Sequence, residues 1–415
     1  MIENVRGEIP LFFYLCYNYF MEKRLIFHVD VNSAFVSWEA TRRVLKGEPD
    51  IRLVPSIVGG DPNSRRSIVA AKSIPAKKYG INTGEPVSMA LRKCPELVIA
   101  RPDFELYKEY SKKFKDICRS YAPEVEEFSI DECFLDMTGT GRIYKDPVAT
   151  AYEIKDRIRD ELGFTVNVGI GNNKLLAKMA SDFEKPDKVH TLWDTEIETK
   201  LWPLPVGDLL FVGKKTVPLL NRAGIRTIGD LAGMDFDFLV HIVGEKAALA
   251  MHNSANGIDE SPVTSEREEA KGYSMSTTEE EDIVSYEGAN EILLRLCDRV
   301  TARMRKDKVR AFCIAVTIRD LEFHNRSHQR NLTDSTDITD EVYEVAKELL
   351  QVLWDGREPL RLIRVALSNI DRSGNEQVSL FADGKREKQR KLDHAMDEIR
   401  GKFGNGMIQR GTNLK

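Results

Sequence analysis

The sequence predicts an α+β protein built from more than one domain. Its 415 residues suffice for about two to four domains of ordinary size. From residue 24 to 187, apolar strand patterns alternate with amphipathic helix patterns, which is typical of a sheet covered by helices. A similar alternation runs from 272 to 381, and the stretch between contains mainly short helices and glycine turns. We therefore expect two α+β units joined by a small helical region.

The composition excludes several other classes of protein. Hydrophobic residues make up 42% of the chain and charged residues 31%, which excludes collagen-like, disulfide-scaffold and wholly disordered proteins. The formal net charge of −5 does not decide whether the partner is a nucleic acid. The six cysteines form no C-x-x-C pair, which predicts reduced thiols in a cytoplasmic protein. No segment is long and apolar enough to span a membrane, so we expect a soluble protein.

The first twenty residues require a separate interpretation. Residues 9–20 form an apolar run that is too short for a membrane span, and no small-residue cleavage site marks it as a signal peptide. Met21 immediately precedes a clear strand pattern. We therefore expect residues 1–20 to be an extension, and we expect the folded protein to begin near Met21 and not at Met1.

Periodicity and turn signals predict the elements of the first unit. Apolar, β-branched stretches predict strands, helical spacing of apolar residues predicts helices, and Asp146-Pro147 is typical of a helix start. The predicted order is a strand at 24–31, a helix at 105–121, a strand at 128–136, a helix at 147–163, a strand at 164–170 and a helix at 173–183.

The C-terminal region is predicted by the same signals. Strand patterns occur at 311–318 and 362–368, and a short basic helix is expected at 393–403. The charged run at 266–271 has little to bury and is interpreted as part of a linker, although a solvated helix face fits it nearly as well.

Three carboxylates give the strongest chemical signal. Asp30 ends one predicted strand, and Asp131 and Glu132 lie in another. Facing carboxylates repel each other unless a cation lies between them, and oxygen ligands without Cys or His favour Mg²⁺ or Mn²⁺. Such clusters hold two ions about 3.5–4 Å apart for in-line phosphoryl transfer. Because Asp131 and Glu132 are adjacent, both reach the metals only if the chain turns or bulges there. The alternative is that these carboxylates cap turns at the sheet edge.

A second signal lies at residues 169–178. A predicted strand ends in Gly-x-Gly, and the helix after it carries Lys174 and Lys178, which suits phosphate binding by backbone N–H groups and ammonium groups. Lysines are equally typical of a solvated helix face, and the order of residues is not that of a P-loop. Further positive charge is predicted nearby, at Lys72, Lys77, Lys78 and Arg92.

Four motifs occur in a characteristic order: V-D-V-N-S-A-F at 29–35, A-K-K-Y-G-I-N-T-G at 76–84, S-I-D-E-C-F-L-D at 129–136 and G-I-G-N-N-K-L-L-A-K at 169–178. In this order and spacing they resemble the Y-family translesion DNA polymerases of the DinB, or DNA polymerase IV-like, type. The resemblance runs from about Leu25 to the C-terminal region and implies a right-hand polymerase architecture. The implied parts are a palm at 21–33 and 99–187, fingers at 34–98, a thumb at 188–262, a linker at 263–271, an α+β little finger at 272–381 and a basic tail at 382–415.

The resemblance also implies an activity. We expect a template-directed, error-prone DNA polymerase that adds dNTPs to a primer 3′-OH by two-metal phosphoryl transfer, without proofreading. The alternatives are a catalytically weak polymerase-like protein that binds DNA or the clamp, and a nucleotidyl cyclase, against which the hairpin segment and the long second unit argue. A bacterial, cytoplasmic monomer that associates with the nucleoid when on DNA is expected.

Roles at the catalytic site follow residue by residue from the resemblance. Asp30 and Asp131 would ligate two Mg²⁺ ions, with Mn²⁺ as a substitute, and Glu132 would complete the site as a catalytic residue. The backbone from Val31 to Phe35 would pass beneath the triphosphate. The Phe35 ring would act as a steric gate against ribonucleotides, although ordinary core packing is an alternative for it.

The triphosphate-binding residues include one departure from the family pattern. Lys77 and Lys174 would contact triphosphate oxygens. Where the family commonly has Tyr-Glu-Ala-Arg, this chain has Ile74-Pro75-Ala76-Lys77, so a hydroxyl and the bidentate fork of an arginine are absent. We therefore expect the nucleotide affinity or the range of lesions to differ from the family pattern.

Further residues are implied for the partners primer–template DNA and sliding clamp. Residues 209–231 resemble a helix-hairpin-helix, in which Gly213, Lys214 and Lys215 would grip a phosphate, although a purely structural hairpin fits as well. In the little finger, the predicted DNA contacts are Arg303, Arg305, Arg326 and Arg330, with a solvated helix face as the alternative. The segment 377–381 resembles a clamp-binding peptide with Gln377, Leu380 and Phe381 as its anchors.

Overall fold

The computed structural model describes residues 24–266, 269–373, 384–404 and 406–410, which form two compact units. The first unit comprises residues 24–63 and 67–266, and the second comprises 64–66 and the described residues from 269 onward. The extension at 1–20 and the clamp-like segment at 377–381 lie outside the described residues. Within the described ranges, no helix is long and apolar enough to cross a membrane.

The first unit contains strands and helices that alternate along much of the chain, with a five-stranded and a three-stranded sheet. Its strands are β1 (Ile26–Val31), β2 (Ser56–Gly59), β3 (Val69–Lys72), β4 (Val98–Ala100), β5 (Glu124–Glu127), β6 (Glu132–Asp136), β7 (Val166–Gly171) and β8 (Val189–Leu192). Its helices are α1 (Ala34–Leu45), α2 (Ile74–Lys78), α3 (Val87–Lys93), α4 (Phe104–Arg119), α5 (Pro147–Leu162), α6 (Lys174–Asp182), α7 (Val217–Arg222), α8 (Ile228–Ala232), α9 (Phe236–Val243) and α10 (Glu245–Ala255).

The main sheet of this unit has the strand order β5-β6-β1-β7-β8, with β1 antiparallel to both of its neighbours. Alternation sends the side chains of Phe27 and Val29 into a large core that they share with α1, α4 and α5. The opposite face of β1 carries Ile26 and His28, and there the sheet is covered by α6. The main sheet is therefore buried on both sides around its central strand.

Local end signals explain why some predictions are confirmed. The helix predicted after Asp146 is α5, whose N-cap carboxylate accepts hydrogen bonds from the backbone N–H groups of Val148 and Ala149. Gly163 ends this helix in the left-handed region at φ 77°, where a residue without Cβ is favoured. These signals are local, so the sequence pattern contains them.

One predicted strand is wrong in part. The strand expected at 128–136 begins only at Glu132, because the preceding residues form a bend. In this bend the Ser129 hydroxyl donates to the Asp131 carboxylate at 2.7 Å, and the Ser129 N–H donates to the Glu132 carbonyl at 3.2 Å. These turn contacts replace the ladder hydrogen bonds of a continuous strand.

The second unit contains one antiparallel sheet of strand order β11-β10-β12-β9, formed by β9 (Gly272–Ile283), β10 (Arg310–Asp320), β11 (Asn325–Thr336) and β12 (Leu360–Asp371). Helices α11 (Tyr286–Lys306) and α12 (Thr339–Leu353) cover one face. The core between them includes Ile314, Val316 and Ile363. The other face of the sheet is not covered by a helix of the described residues.

The C-terminal helix α13 (Gly384–Phe403) begins earlier than the helix predicted at 393–403. It packs on the second unit through a buried ion-pair network. The Asp393 carboxylate, 1% exposed, binds Arg305 at 3.3 Å, accepts the Thr339 N–H at 2.9 Å and binds the Arg410 guanidinium. Since buried charges are stable only when paired, this network fixes the helix to α11 and α12.

Candidate active site

Two of the three predicted carboxylates lie side by side at one end of the main sheet. Asp30 is the next-to-last residue of β1 and pairs in register with Glu132, the first residue of β6. Alternation places both side chains on the α6 face of the sheet, the face that also carries His28 and Phe134. Asp30 is only 6% exposed, so its carboxylate is largely shielded from water.

Asp131 reaches the same end of the sheet because it lies in the bend before β6. Its carbonyl oxygen accepts a hydrogen bond from the Val31 N–H at 3.0 Å, which ties the bend to the residue that follows Asp30. Its carboxylate accepts the Ser129 hydroxyl at 2.7 Å. The turn that the adjacent acids require is therefore present.

Two lysines hold the carboxylates: Lys178 is a predicted phosphate-binding residue, whereas Lys185 was not predicted. The Lys185 ammonium binds the Asp30 carboxylate and also Asp182, at 2.7 Å. The Lys178 ammonium binds Glu132 at 2.8 Å. Among the described residues, no three His, Cys, Asp or Glu side chains are arranged as a metal site. The expected convergence of three acids is thus only partly realised, because each of two carboxylates faces its own lysine.

Burial dominates the electrostatics of this site. It raises the pKa of Asp30 from 3.8 to about 6; the Lys185 ammonium opposes this rise, and the Glu132 carboxylate adds to it. Any additional positive charge nearby would stabilise the ionised form of this carboxylate. Hard oxygen donors of this kind fit a divalent ion such as Mg²⁺, and they lack the soft ligands that zinc prefers.

Replacing Asp30 should stabilise the metal-free protein at neutral pH. In the wild type, the free energy of unfolding falls as the pH rises from about 4 through about 6, because Asp30 ionises less readily in the folded than in the unfolded protein. An asparagine does not ionise, so the variant lacks this loss. A pKa change from 3.8 to about 6 corresponds to at most about 3 kcal/mol. Denaturant unfolding in EDTA should therefore show Asp30→Asn more stable at pH 8 and equal to the wild type near pH 4. If the free energies of unfolding of the variant and the wild type differed by the same amount at both pH values, the raised pKa of Asp30 would be contradicted.

Phe35 lies in the first turn of α1, the helix that follows β1. Its ring stacks on Tyr107 with centroids 4.7 Å apart and planes at 12°, and it meets Phe104 edge-on at 6.0 Å. The ring is half-buried, so one part of it packs in the core and another part is accessible. The structure thus gives the ring a fixed position, which both gating and core packing require.

The glycines of the Gly-x-Gly segment serve the packing of α6 on β7, a role that was not predicted from the sequence. A Cβ on Gly169 would lie 1.9 Å from the Ala177 carbonyl oxygen, and one on Gly171 would lie 2.7 Å from the Ala177 nitrogen. The glycines therefore allow α6 to lie directly on β7. The first N–H groups of α6 already have partners, since Leu175 donates to Asp259 at 3.0 Å and Leu176 to Asn173 at 2.8 Å.

The two lysines predicted to bind the triphosphate are in different environments. Lys174 forms bonds of 2.7 and 2.6 Å to both carboxylate oxygens of Glu126 and does not contact the acidic residues of the site. Lys77 is exposed on α2, whose N-cap Ser73 accepts the Ala76 N–H. The sequence reasoning missed Glu126 because nothing near Lys174 in the chain indicates a pairing across 48 residues.

In the predicted thumb segment, α7 and α8 are two short helices joined by a turn in which Gly224 has φ +86°. Gly213, Lys214 and Lys215 lie exposed just before α7, and the Gly213 carbonyl accepts the Thr216 N–H at 2.8 Å. The geometry is that of a helical hairpin with two cations at its start.

The predicted DNA contacts of the second unit require correction. Arg305 is 7% exposed, and its guanidinium group is bound to Asp397 at 2.6 Å as well as to Asp393. Its charge is therefore neutralised within the protein and is not accessible to a DNA phosphate. Arg303 is exposed on α11, where its guanidinium lies 5.9 Å from the Tyr273 ring.

Arg326 and Arg330 lie on the helix-covered side of the sheet. They pair in register with the core residues Ile318 and Ile314, and alternation therefore keeps them on that face. Their guanidinium groups bind Glu358 at 3.2 Å and Glu348 at 2.5 Å. Neither arginine therefore lies on the opposite face of the sheet, which no helix of the described residues covers and which we call the open face.

Comparison with known proteins identifies the family. Residues 29–182 match the model of the impB/mucB/samB family, and residues 270–380 match that family's C-terminal domain. DNA polymerase IV of Clostridium acetobutylicum is 43% identical over 398 residues, covering 94% of this chain and 98% of the relative. The chain belongs to this family. DNA polymerase IV 2 of Bacillus subtilis, another relative, is 35% identical and covers 95% of each chain.

Solved structures confirm the fold of this family. A chimeric Y-family DNA polymerase superposes with a TM-score of 0.71, covering 83% of this chain and 99% of its own, at 24% identity. DinB from Sulfolobus solfataricus has a TM-score of 0.54 at the same identity and coverage. The α+β class and the Y-family polymerase fold, both predicted from the sequence, are therefore confirmed.

Proposed function

We propose that this family member is a translesion DNA polymerase that adds dNTPs to a primer 3′-OH on a DNA template by two-metal phosphoryl transfer. Its membership of a family whose curated relatives are named DNA polymerase IV supports the polymerase activity. The observation that carries the mechanism is the pairing of Asp30 with Glu132, next to the bend that holds Asp131.

Asp30, Asp131 and Glu132 would hold two divalent ions, of which Mg²⁺ fits the oxygen donors and Mn²⁺ is a substitute. Bound there, the ions would neutralise the triphosphate and activate the primer hydroxyl. Metal ions would compete with the two ammonium groups for these carboxylates, since Lys185 holds one oxygen of Asp30 and Lys178 holds one oxygen of Glu132. Among the described residues, a serine hydroxyl is the only side chain that holds Asp131, so its carboxylate is the more readily reoriented.

The chain supplies its own positive charge for the triphosphate. Lys185 and Lys178 are the ammonium groups nearest to the catalytic carboxylates, and they become available to phosphate oxygens once those carboxylates bind metal. The exposed Lys77 is a further candidate from α2. The start of α1 at Ala34 adds backbone N–H groups that have no partner within the helix.

DNA would contact two surfaces of the described chain. One is the hairpin start at Gly213, Lys214 and Lys215, which offers sequence-independent phosphate contacts. The other is the open face of the second unit, where Arg319 and Arg364 stand among small polar side chains of neighbouring strands. These surfaces replace Arg305, Arg326 and Arg330 in the proposal.

Primer extension tests the proposed function directly. The full chain, supplied with a primer–template, Mg²⁺ and single dNTPs, should add the nucleotide that pairs with the template. The alternative, a polymerase-like protein that only binds DNA or the clamp, predicts primer–template binding without incorporation, and that result would refute the proposed activity.

The segment 377–381 should mediate stimulation by a sliding clamp. Replacing Leu380 and Phe381 with Ala removes the two apolar anchors of a five-residue peptide, and the loss of apolar burial should abolish clamp stimulation. Basal synthesis without the clamp should stay the same. Primer extension with and without the clamp measures both, and stimulation equal to that of the wild type would refute the docking role.

A further inference from the structure

Two buried asparagines link the metal-site strand to the loop that carries Lys185. Asn167 lies on β7, directly opposite Asp30 of β1, and is 0% exposed. Asn32 follows β1 by one residue and is 8% exposed. The Asn32 amide donates to the Asn167 side-chain oxygen at 3.0 Å, so the two side chains form one unit beside the acidic site.

This unit grips the loop after α6 on both sides of Lys185. The Asn167 amide nitrogen donates to the carbonyls of Ser181 at 2.9 Å and Glu184 at 2.7 Å. Its oxygen accepts the Lys188 N–H at 3.2 Å. Asn167 therefore uses both of its donor hydrogens and accepts two bonds, leaving no hydrogen-bonding capacity unused.

Asn32 completes the attachment. Its side-chain oxygen accepts the Asp187 N–H at 2.9 Å and the Thr165 hydroxyl at 3.0 Å. Asp187 has φ 62°, a left-handed conformation that an aspartate adopts at some cost and that the bond to Asn32 helps to hold. The loop conformation is thus specified by side chains and not by a regular element.

We propose that Asn167, supported by Asn32, is a positioning residue that sets the affinity for the incoming dNTP by fixing Lys185 beside Asp30. The proposal rests on the proposed polymerase function. The Lys185 side chain is long and partly exposed, and its backbone lies in a loop, so its ammonium would otherwise sample many positions. Hydrogen bonds to the backbone of residues 184, 187 and 188 fix the loop on both sides of Lys185, and the ion pairs with Asp30 and Asp182 then hold its ammonium group before the substrate arrives.

The alternative is that Asn167 contributes only to folding. A double-mutant cycle separates the two roles, because a residue that acts through Lys185 loses its effect once Lys185 is removed. The cycle compares the wild type, Asn167→Ala, Lys185→Ala and the double variant. Calorimetric titration with dATP and Mg²⁺ gives Kd, and primer extension gives KM and kcat.

Asn167→Ala should raise the Kd and KM for dNTP about tenfold, while kcat changes less than about threefold. Lys185→Ala should raise Kd at least as much, and the double variant should match Lys185→Ala within about twofold. The proposal would be overturned if the increases in Kd caused by the two single substitutions multiplied in the double variant, which means that they are additive in free energy. An unchanged Kd in Asn167→Ala would overturn it as well.

Thr41→Val is the matched stability control. It also removes a buried hydroxyl, whose single proton is shared between the carbonyl oxygens of Ser37 and Gly163, but it shares no bond with the Lys185 loop. We expect it to lower the melting temperature without changing Kd; a raised Kd would show that destabilisation alone explains the effect and would overturn the proposal.

If Asn167→Ala does not fold at the assay temperature, Asn32→Ala provides the same cycle, because it removes the bond to Asp187. The same non-additivity with Lys185→Ala supports the proposal, and additivity refutes it. A wild type that neither binds dNTP nor extends a primer would instead refute the proposed function. If the wild type binds dNTP and extends the primer, but the two substitutions have additive effects on the free energy of dNTP binding, then only the positioning role of Asn167 is refuted.

Discussion

Asp30→Asn should lower primer extension by about 10³-fold or more, which corresponds to about 4 kcal/mol in the activation free energy. The amide keeps the shape of the carboxylate but removes the negative charge that a divalent ion requires. Because the same change should stabilise the metal-free protein, as argued above from the raised pKa, the loss of activity would not be due to misfolding. Single-turnover incorporation of the correct dNTP measures the effect.

Asp136→Asn is the control for this experiment. Asp136 lies in the same strand as Glu132, about 13 Å further along. Within the described part of the chain, its carboxylate accepts only the N–H of the neighbouring turn residue Thr138, at 2.9 Å. Its incorporation rate should stay within about threefold of the wild type. If Asp30→Asn retained a comparable rate, the acidic site would not be the catalytic centre.

Phe35→Ala should raise the ratio of ribonucleotide to deoxyribonucleotide incorporation on the order of 100-fold, or about 2.7 kcal/mol. The exclusion of ribonucleotides is steric, because discrimination against a larger sugar requires a rigid group in the space that the sugar's additional hydroxyl would fill. The stack on Tyr107 and the edge contact with Phe104 supply that rigidity. Competition between matched rNTP and dNTP at one template position measures the ratio.

Tyr107→Phe keeps the ring beneath Phe35 and removes only a hydroxyl that has no hydrogen-bond partner among the described residues. Sugar discrimination should therefore be the same as in the wild type. If Phe35→Ala also left the ratio unchanged, the ring would be a core residue, which is the alternative that its half-buried position leaves open.

Local signals made much of the fold predictable. The N-cap Asp146 and the C-terminal Gly163 define α5 by contacts within a few residues, so the sequence pattern specifies both ends. The bend before β6 was not predictable in the same way. Residues 128–131 have strand composition, yet the Ser129 hydroxyl bonds to Asp131 and the ladder starts at Glu132.

Pairings between distant residues explain most of what was missed at the site. Lys185 meets Asp30 across 155 residues, and no local pattern around Lys185 marks it as a partner of a carboxylate. Arg305 looked like part of a basic face, but acids 88 and 92 residues away neutralise it. Gly169 resembled a phosphate-binding glycine, whereas the close approach of α6 is what excludes a side chain there.

The most direct test of the central claim is an anomalous difference map at the manganese edge. Crystals would contain the full chain, a primer–template, a non-hydrolysable dNTP and Mn²⁺. We expect two peaks about 3.5–4 Å apart, ligated by Asp30, Asp131 and Glu132, with Lys185 and Lys178 displaced toward phosphate oxygens. Peaks bound by other residues, or ammonium groups that still hold both carboxylates in a complex with ordered dNTP, would contradict the claim.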